Sequence, residues 1–412
     1  MDMSDIKSID GGVTSAKGFL AANTAAGIKY TDRDDMAMIV SEVPCITAAT
    51  FTKNVVKAAP VLWDKGCVEE NAKVRGVVIN AGIANACTGE EGMKLCEETA
   101  EAAAGHIGCD KREVLVASTG VIGFQLPIDK LRAGIDDMYG RLSGSREAAH
   151  NAACAIMTTD TVPKEACVQF ELNGKTVTIG AMTKGSGMIH PNMCTMLCFN
   201  TTDALISKEM LKEALTEAVN DSYNMISVDG DTSTNDTCVI MANGKAENKL
   251  IDSHGEAFDL FVKALKEVNT TLARIMAGDG EGATALLEVK VLNAESDESA
   301  RCLAKSVVSS SLVKAAVYGH DANWGRILCA LGYSGVEFDP SKVDVYFESA
   351  AGQTMVAHKG MASDFSEEEA TAILSEAEVT VICDMQAGSY DATAWGCDLT
   401  HEYVDINADY RS

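Results

Sequence analysis

The chain has 412 residues, 47% of them apolar and 23% charged, enough for two or three domains of about 150 residues and a large core. Its 34 basic residues face 60 acidic ones, a net charge of −26. Such a surface repels phosphate backbones and anionic lipid, so neither nucleic acid nor membrane is an expected partner. No apolar run approaches the ~18 residues of a transmembrane helix, and the acidic opening MDMSDIKSID lacks a secretory apolar core. The 14 cysteines contain no C-x-x-C. Cys45, Cys96, Cys154, Cys238, Cys329 and Cys383 sit among Ala, Val, Ile and Leu, as small buried hydrophobes do. Scattered thiols without a secretory signal predict a reducing compartment, the cytoplasm, with no disulfide framework and no metal centre.

Strand-like and helical segments alternate along the chain. Met36–Val40, Val77–Asn80 and Val114–Ala117 read as buried strands. Between the last two, Thr88 and Glu91 form a capping box before a helix with Met93, Cys96, Ala100, Ala103 and Ile107 on one face. Thr195 opens another buried run, Met196–Phe199. Ser253 and Glu256 cap a longer helix carrying Phe258, Phe261, Leu265, Val268, Leu272 and Ile275, with Gly278 at its end. Ser366 and Glu369 cap a third, before the strand Val379–Cys383. The last residues, Tyr403–Ser412, alternate like a strand or a frayed tail. The expected class is α/β (α+β). With no linker, repeat or charge block, the clearest internal division is the junction at Thr195, which separates residues 1–194 from 195–412.

That junction lies in KGSGMIHPNMCTMLCFNTTD, Lys184 to Asp203. Gly185 and Gly187 free the backbone, and Pro191 biases the residue before it toward extended geometry. A hydroxyl held where a constrained loop meets a strand suits a nucleophile. Cleavage of the Cys194–Thr195 bond would give Thr195 an α-amine, a group that ordinarily titrates near pH ~7.7–8.0 and is able to act as its own base. An ordinary strand beginning with Thr fits the same pattern.

Other segments admit two readings each. Ser118–Gly123, STGVIG, offers an oxyanion site of a Thr hydroxyl and glycine-freed N–H groups, or a plain turn. Met157–Thr161 offers hydroxyls and a carboxylate to a polar substrate, or an Asx turn. Asp229–Asp236 is acidic but lacks EF-hand spacing, so a hydrogen-bonded turn that shapes a site competes with a metal loop. Gly278–Thr284 has no Walker Lys, and its carboxylate suits an ammonium group better than a phosphate. In Gly319–Arg326, His320 and Asp321 are sequence neighbours whose side chains should diverge. There is no G-x-S-x-G elbow.

The motif KGSGMIHPNMCTML resembles the self-cleaving segment of the ornithine acetyltransferases of arginine biosynthesis. GGVTSAKGFLA (11–21), STGVIG (118–123), MTTDT (157–161), VDGDTSTND (228–236), GDGEGAT (278–284), GHDANWGRI (319–327) and INADYRS (406–412) resemble that family in its order, end to end. The resemblance implies a DmpA/ornithine-acetyltransferase-like fold with αββα-type layering and the logic of N-terminal-nucleophile enzymes. It implies autocleavage at Cys194–Thr195 into an α chain, 1–194, and a β chain, 195–412, assembled as an α2β2 heterotetramer. Thr195 would carry an acetyl group from N-acetylornithine to glutamate, releasing ornithine and then N-acetylglutamate. Thr119 and Gly120 would form the oxyanion hole, and Thr158, Lys184, Thr195, Glu281, Asn407 and Ser412 would meet substrate. No cofactor is implied, although acetyl-CoA serves some members as a co-substrate. The chain departs from the family in having Cys194 where Ala is usual and Ala285 where Lys is common. An aminopeptidase or amidohydrolase of the same fold, with water as acceptor, is the alternative enzyme. A non-catalytic acidic scaffold or metal-binding protein would leave the Lys184–Thr195 loop unexplained.

Overall fold

The computed structural model describes residues 6–70, 73–190 and 196–408. The fold is α/β, in two compact units. The first holds the described residues within Met1–Gly185, Pro191–Tyr223 and Thr232–Leu272. The second holds those within Ser186–His190, Asn224–Asp231 and Ala273–Ser412.

In chain order the elements begin with β1 (Ile6–Ser8), β2 (Phe19–Thr24), β3 (Met36–Phe51), α1 (Ala59–Glu69) and β4 (Val74–Ile83). There follow α2 (Gly89–Ile107), β5 (Val114–Val121), α3 (Ile128–Tyr139), α4 (Arg146–Ala155), β6 (Lys164–Leu172) and β7 (Lys175–Lys184). Next come β8 (Leu197–Thr202), α5 (Lys208–Asp221), β9 (Ile226–Ser227), β10 (Thr237–Ala242) and α6 (Glu256–Gly278). The chain continues through β11 (Leu286–Ala294), α7 (Asp297–Val308), α8 (Ser311–Tyr318), α9 (Trp324–Gly332) and β12 (Asp344–Ser349). It ends with β13 (Gly352–His358), β14 (Met361–Ala362), α10 (Glu367–Leu374), β15 (Glu378–Asp384), β16 (Tyr390–Cys397) and α11 (His401–Ala408).

Among the described residues, the first unit is built on a nine-stranded mixed sheet ordered β1-β6-β7-β8-β10-β3-β4-β5, with β2 also on β3. The long β3 serves two neighbourhoods. Met36–Val40 pairs with β4 and Ile46–Phe51 with β10, with a register shift between. The apolar runs of β4 and β5 pair in parallel and are buried, as parallel strands require. The core joins Met36, Met38 and Ile39 of β3 to Leu95 of α2, Leu131 and Ile135 of α3 and Ala152 of α4. The outer edge of β5 is covered by α1: Trp63 Nε1 donates to Val114 O at 3.0 Å, and Val116 N donates to Asp64 Oδ1 at 2.8 Å. Two side chains thus stand in for a neighbouring strand. The second unit has a seven-stranded sheet ordered β14-β13-β12-β15-β11-β16-β9. Among the described residues no helix is long and apolar enough to cross a membrane.

Several expectations change. The β5 strand runs on through Val121, so Ser118–Val121 is strand rather than turn. Thr88 does not cap α2, because its hydroxyl donates to Asn85 Oδ1. Ser253 lies ahead of α6 and donates to Asp252, while the helix starts at Glu256. Gly278 ends α6 as a helical residue, outside the left-handed region. Ser366 caps α10 as its motif predicts, accepting from Glu369 N at 3.3 Å. Residues 401–408 form a helix rather than a strand, since Thr400 Oγ1 accepts from Tyr403 N at a helix start. Among the described residues no cysteine forms a disulfide; Cys45, Cys96, Cys238 and Cys383 are buried, but Cys154 is half-buried and Cys329 exposed.

Asp64 makes the β5 edge sensitive to pH. Burial raises its carboxyl well above the usual range, outweighing the Val116 N–H bond. A raised folded pKa means the folded state holds a proton that the unfolded chain releases near pH ~4, so Asp64 lowers stability as pH rises above that value. Asp64→Asn keeps an acceptor for Val116 N without the charge. In urea unfolding, its stability relative to the parent should improve steadily from pH 5 to pH 8.

Candidate active site

In the first unit the residues gather around one carboxylate. After α4 the chain turns sharply, and Thr158 N donates to Asp160 Oδ2 at 3.0 Å, so the carboxylate holds the backbone two residues before it rather than forming an Asx turn. The Asp160 side chain is fully buried against an equally buried Lys164, whose Nζ donates to Asp160 Oδ1 at 2.7 Å. Gly185 N donates to the same oxygen at 2.7 Å. Lys184 Nζ lies 4.0 Å from Asp160 Oδ2 and donates to Thr119 Oγ1 at 3.3 Å. Burial alone would raise the Asp160 carboxyl, but the ammonium groups of Lys184 and Lys164 outweigh it and hold it well below the usual carboxylate range. One carboxylate therefore faces two ammonium groups.

Thr119 and Gly120 sit near the end of β5, half-buried, inside a frame of side-chain amides. Asn235 Nδ2 donates to Ser118 O at 2.8 Å and to Ala84 O at 2.6 Å, while Thr234 Oγ1 donates to Asn235 Oδ1 at 2.7 Å. Ser118 Oγ donates to Asn80 Oδ1 at 2.6 Å. Gly120 has φ +127, and a Cβ there would come within 2.2 Å of Gly82 C. Only glycine fits this strand end.

The second unit presents a carboxylate cluster. Glu281 is 7% exposed. Its N–H donates to Ser186 O at 3.1 Å, and its Oε2 accepts from Asn407 Nδ2 of α11 at 2.7 Å. Gly187 packs its bare Cα here; a Cβ would lie 2.3 Å from the Glu281 carboxylate. Asp229 accepts from Met188 N at 2.6 Å and from Ile189 N at 2.9 Å, and burial raises its carboxyl. Burial, and after it the Asp229, Glu281 and Asp231 carboxylates, push the Tyr403 phenol upward.

Thr158 and Lys184 are thus held at Asp160 in one unit, with Thr119, next to Gly120, reached through Lys184, and Glu281 and Asn407 are joined in the other. Thr195, Cys194 and Ser412 lie outside the residues whose side chains are described. His320 and Asp321 diverge as expected: His320 Nδ1 meets Ser375 Oγ at 3.4 Å, while Asp321 accepts from Asn323 Nδ2 at 3.0 Å. Among the described residues no three His, Cys, Asp or Glu side chains converge as a metal site would need. The acidic octet instead forms hydrogen-bonded turns. Ala285 N and Thr284 N, after the glycine loop, donate to Asp398 Oδ1 at 3.2 and 2.9 Å. Sequence reasoning missed the hub role of Asp160, the buried Lys164 and the bracing by Asn235. Asp160 and Asn235 stood within segments singled out for their polarity; for Lys164 the only signal was a lone Lys opening an apolar run.

The ArgJ family model matches residues 20–412. The chain belongs to the ArgJ family. "Arginine biosynthesis bifunctional protein ArgJ" of Caldanaerobacter subterraneus is 50% identical over 98% of this chain and 99% of its own length. "Arginine biosynthesis bifunctional protein ArgJ 1" of Clostridium acetobutylicum is 52% identical over 97% of each. A crystal structure of the arginine biosynthesis bifunctional protein of Bacillus halodurans matches with 46% identity and a TM-score of 0.49, covering 51% of this chain and 97% of that one. The order of motifs read from the sequence is thus that of ArgJ proteins along nearly the whole length.

The buried Lys164–Asp160 pair should be unforgiving. Lys164→Met removes one charge and leaves the other buried, which costs about 3–5 kcal/mol. Denaturant unfolding of the two proteins should show that loss; a change within error would mean Lys184 and Gly185 N suffice to hold Asp160.

Proposed function

We propose that this ArgJ-family protein is an acetyltransferase of arginine biosynthesis, moving the acetyl group of N-acetylornithine to glutamate. The observation that carries this reading is the end-to-end likeness to relatives named arginine biosynthesis bifunctional proteins. The residue roles follow the family's motifs, and the geometry within each unit supports them. The precursor cleaves itself between Cys194 and Thr195 into chains of residues 1–194 and 195–412, which assemble as α2β2. The new α-amine of Thr195, a group that ordinarily titrates near pH ~7.7–8.0, takes the proton of its own hydroxyl as Oγ attacks the acetyl carbonyl. Thr119 and Gly120 receive the tetrahedral oxyanion. Because Lys184 donates to Thr119 Oγ1, the Thr119 hydrogen is directed elsewhere, as an oxyanion donor requires. The intermediate collapses to acetyl-Thr195 and ornithine, whose amine leaves with a proton. The glutamate amine then attacks the acetyl ester, and N-acetylglutamate departs as Thr195 regains its proton.

Lys184, beside Thr119, takes the substrate carboxylate as a point charge, and Thr158 adds a polar contact. Glu281, aligned by Asn407, takes the cationic amine, with Ser412 as a further contact. The word bifunctional in the relatives' names supports acetyl-CoA as a second donor for N-acetylglutamate synthesis.

Denaturing electrophoresis should resolve two fragments near half mass, one ending at Cys194 and the other beginning Thr-Met-Leu-Cys. Thr195→Ala should remain one chain and transfer no acetyl group from N-acetylornithine to glutamate. A single band in active protein would overturn the cleavage, and free acetate in place of N-acetylglutamate would favour the hydrolase. Parallel assays with acetyl-CoA and glutamate test the second donor. Glu281→Gln removes a charged partner and should raise the KM for N-acetylornithine about tenfold or more; an unchanged KM would release Glu281 from that role.

A further inference from the structure

On α4, His150 and Cys154 stand four residues apart, on one face of the helix. Cys154 Sγ lies 3.7 Å from His150 Nε2. The other ring nitrogen, Nδ1, is 2.8 Å from Glu165 Oε2 on β6. The Glu165 side chain is 7% exposed, and its second oxygen accepts from Arg146 Nη1 at 2.8 Å. A carboxylate at Nδ1 makes that nitrogen the proton donor and turns Nε2 into an acceptor aimed at the thiol. Nucleophile, base and orienting carboxylate are therefore in line, the arrangement that activates a weak nucleophile. None of the three belongs to the acetyl-transfer reading.

Charged groups surround the thiol on several sides. Burial first, then Glu165, raises its pKa; Arg33 opposes this, and Asp34 adds to it. Cys154 therefore rests as a thiol, and reaction depends on a base that takes the proton while the new bond forms. His150 is that base. Cys154 is half-buried and His150 largely exposed, so a small reagent reaches the pair from solvent.

We propose that Cys154 is a thiol–disulfide exchange site for small disulfides. Cys154 Sγ attacks one sulfur of the disulfide as His150 Nε2 accepts the thiol proton. A new S–S bond forms, the old one breaks, and the departing thiolate takes the proton from the imidazolium. The products are a mixed disulfide on Cys154 and one free thiol, with no net oxidant beyond the disulfide consumed. The site bears on the acetyl-transfer residues. Past Ala155, Met157 O accepts from Arg33 Nη2, and the turn holding Thr158 and Asp160 follows at once. The Arg33 guanidinium also lies 4.6 Å over the Tyr30 ring. A group added at Cys154, beside Arg33, displaces this anchor and lowers turnover. That consequence rests on the proposed function, whereas the exchange chemistry does not.

The test is incubation of the full protein with glutathione disulfide, with modification rates of individual cysteines read by peptide mass spectrometry. Cys154 should react at least about tenfold faster than the exposed Cys329, and His150→Gln, a change at an exposed position, should remove that advantage. Equal rates at Cys154 and Cys329, or an unaltered Cys154 rate in His150→Gln, would overturn the exchange site. Cys154→Ser should keep basal acetyl transfer and make it insensitive to the disulfide. Full turnover by protein modified at Cys154 would overturn the coupling alone, and absent acetyl transfer in untreated protein would count against the proposed function instead.

Discussion

The constraint on which the first unit's site depends is the burial of Asp160 between two lysines. A lone carboxylate would not stay charged there; the Lys164 ammonium at 2.7 Å and Lys184 at 4.0 Å keep it so. Once charged, it collects N–H groups from Thr158 and Gly185, the two chain segments that flank β6 and β7. Lys184 is thereby fixed where its other contact, Thr119 Oγ1, ties in the end of β5. Three segments, the end of β5, residues 158–164 and residues 184–185, are registered through a single ionised group.

The second unit solves the opposite problem. Its candidate residues are mostly acidic, and Glu281 is steadied by backbone and amide donors: its own N–H anchored on Ser186 O, and Asn407 on its carboxylate. A glycine at position 187 lets the main chain approach that carboxylate where any side chain would collide. Neutral donors hold the group without cancelling its charge.

Much of this was legible in the sequence, for reasons that differ by element. The strands β4, β5 and β8 carry apolar runs of three or four residues, and burial on both faces leaves that mark. The cap of α10 was legible because Ser366 and its partner lie three residues apart. The helix at 401–408 was not, because Val404 and Ile406 alternate over a span too short to distinguish two periods, and its start depends on the Thr400 hydroxyl. The motifs marked Thr119, Thr158, Lys184 and Glu281 as a set through family resemblance. Composition could not supply the Asp160 hub, since Lys184 and Gly185 lie more than twenty residues away, Thr119 joins only through Lys184, and the folded sheet brings these together. Asn235 was hidden in the same way: the carbonyls it braces belong to residues 84 and 118.

The order of strands in the first sheet has a consequence for the life of the chain. β8 and β10, which follow position 195, lie between β7 and β3, which precede it. A cut before Thr195 therefore separates two polypeptides whose backbones remain laced into one ladder, each supplying strands that the other needs on either side. Such products cannot dissociate as folded bodies, and neither can complete the sheet alone. Under the proposed cleavage, then, folding precedes the cut, and a defect that slows closure of β3 on β10 would be felt as a failure of maturation.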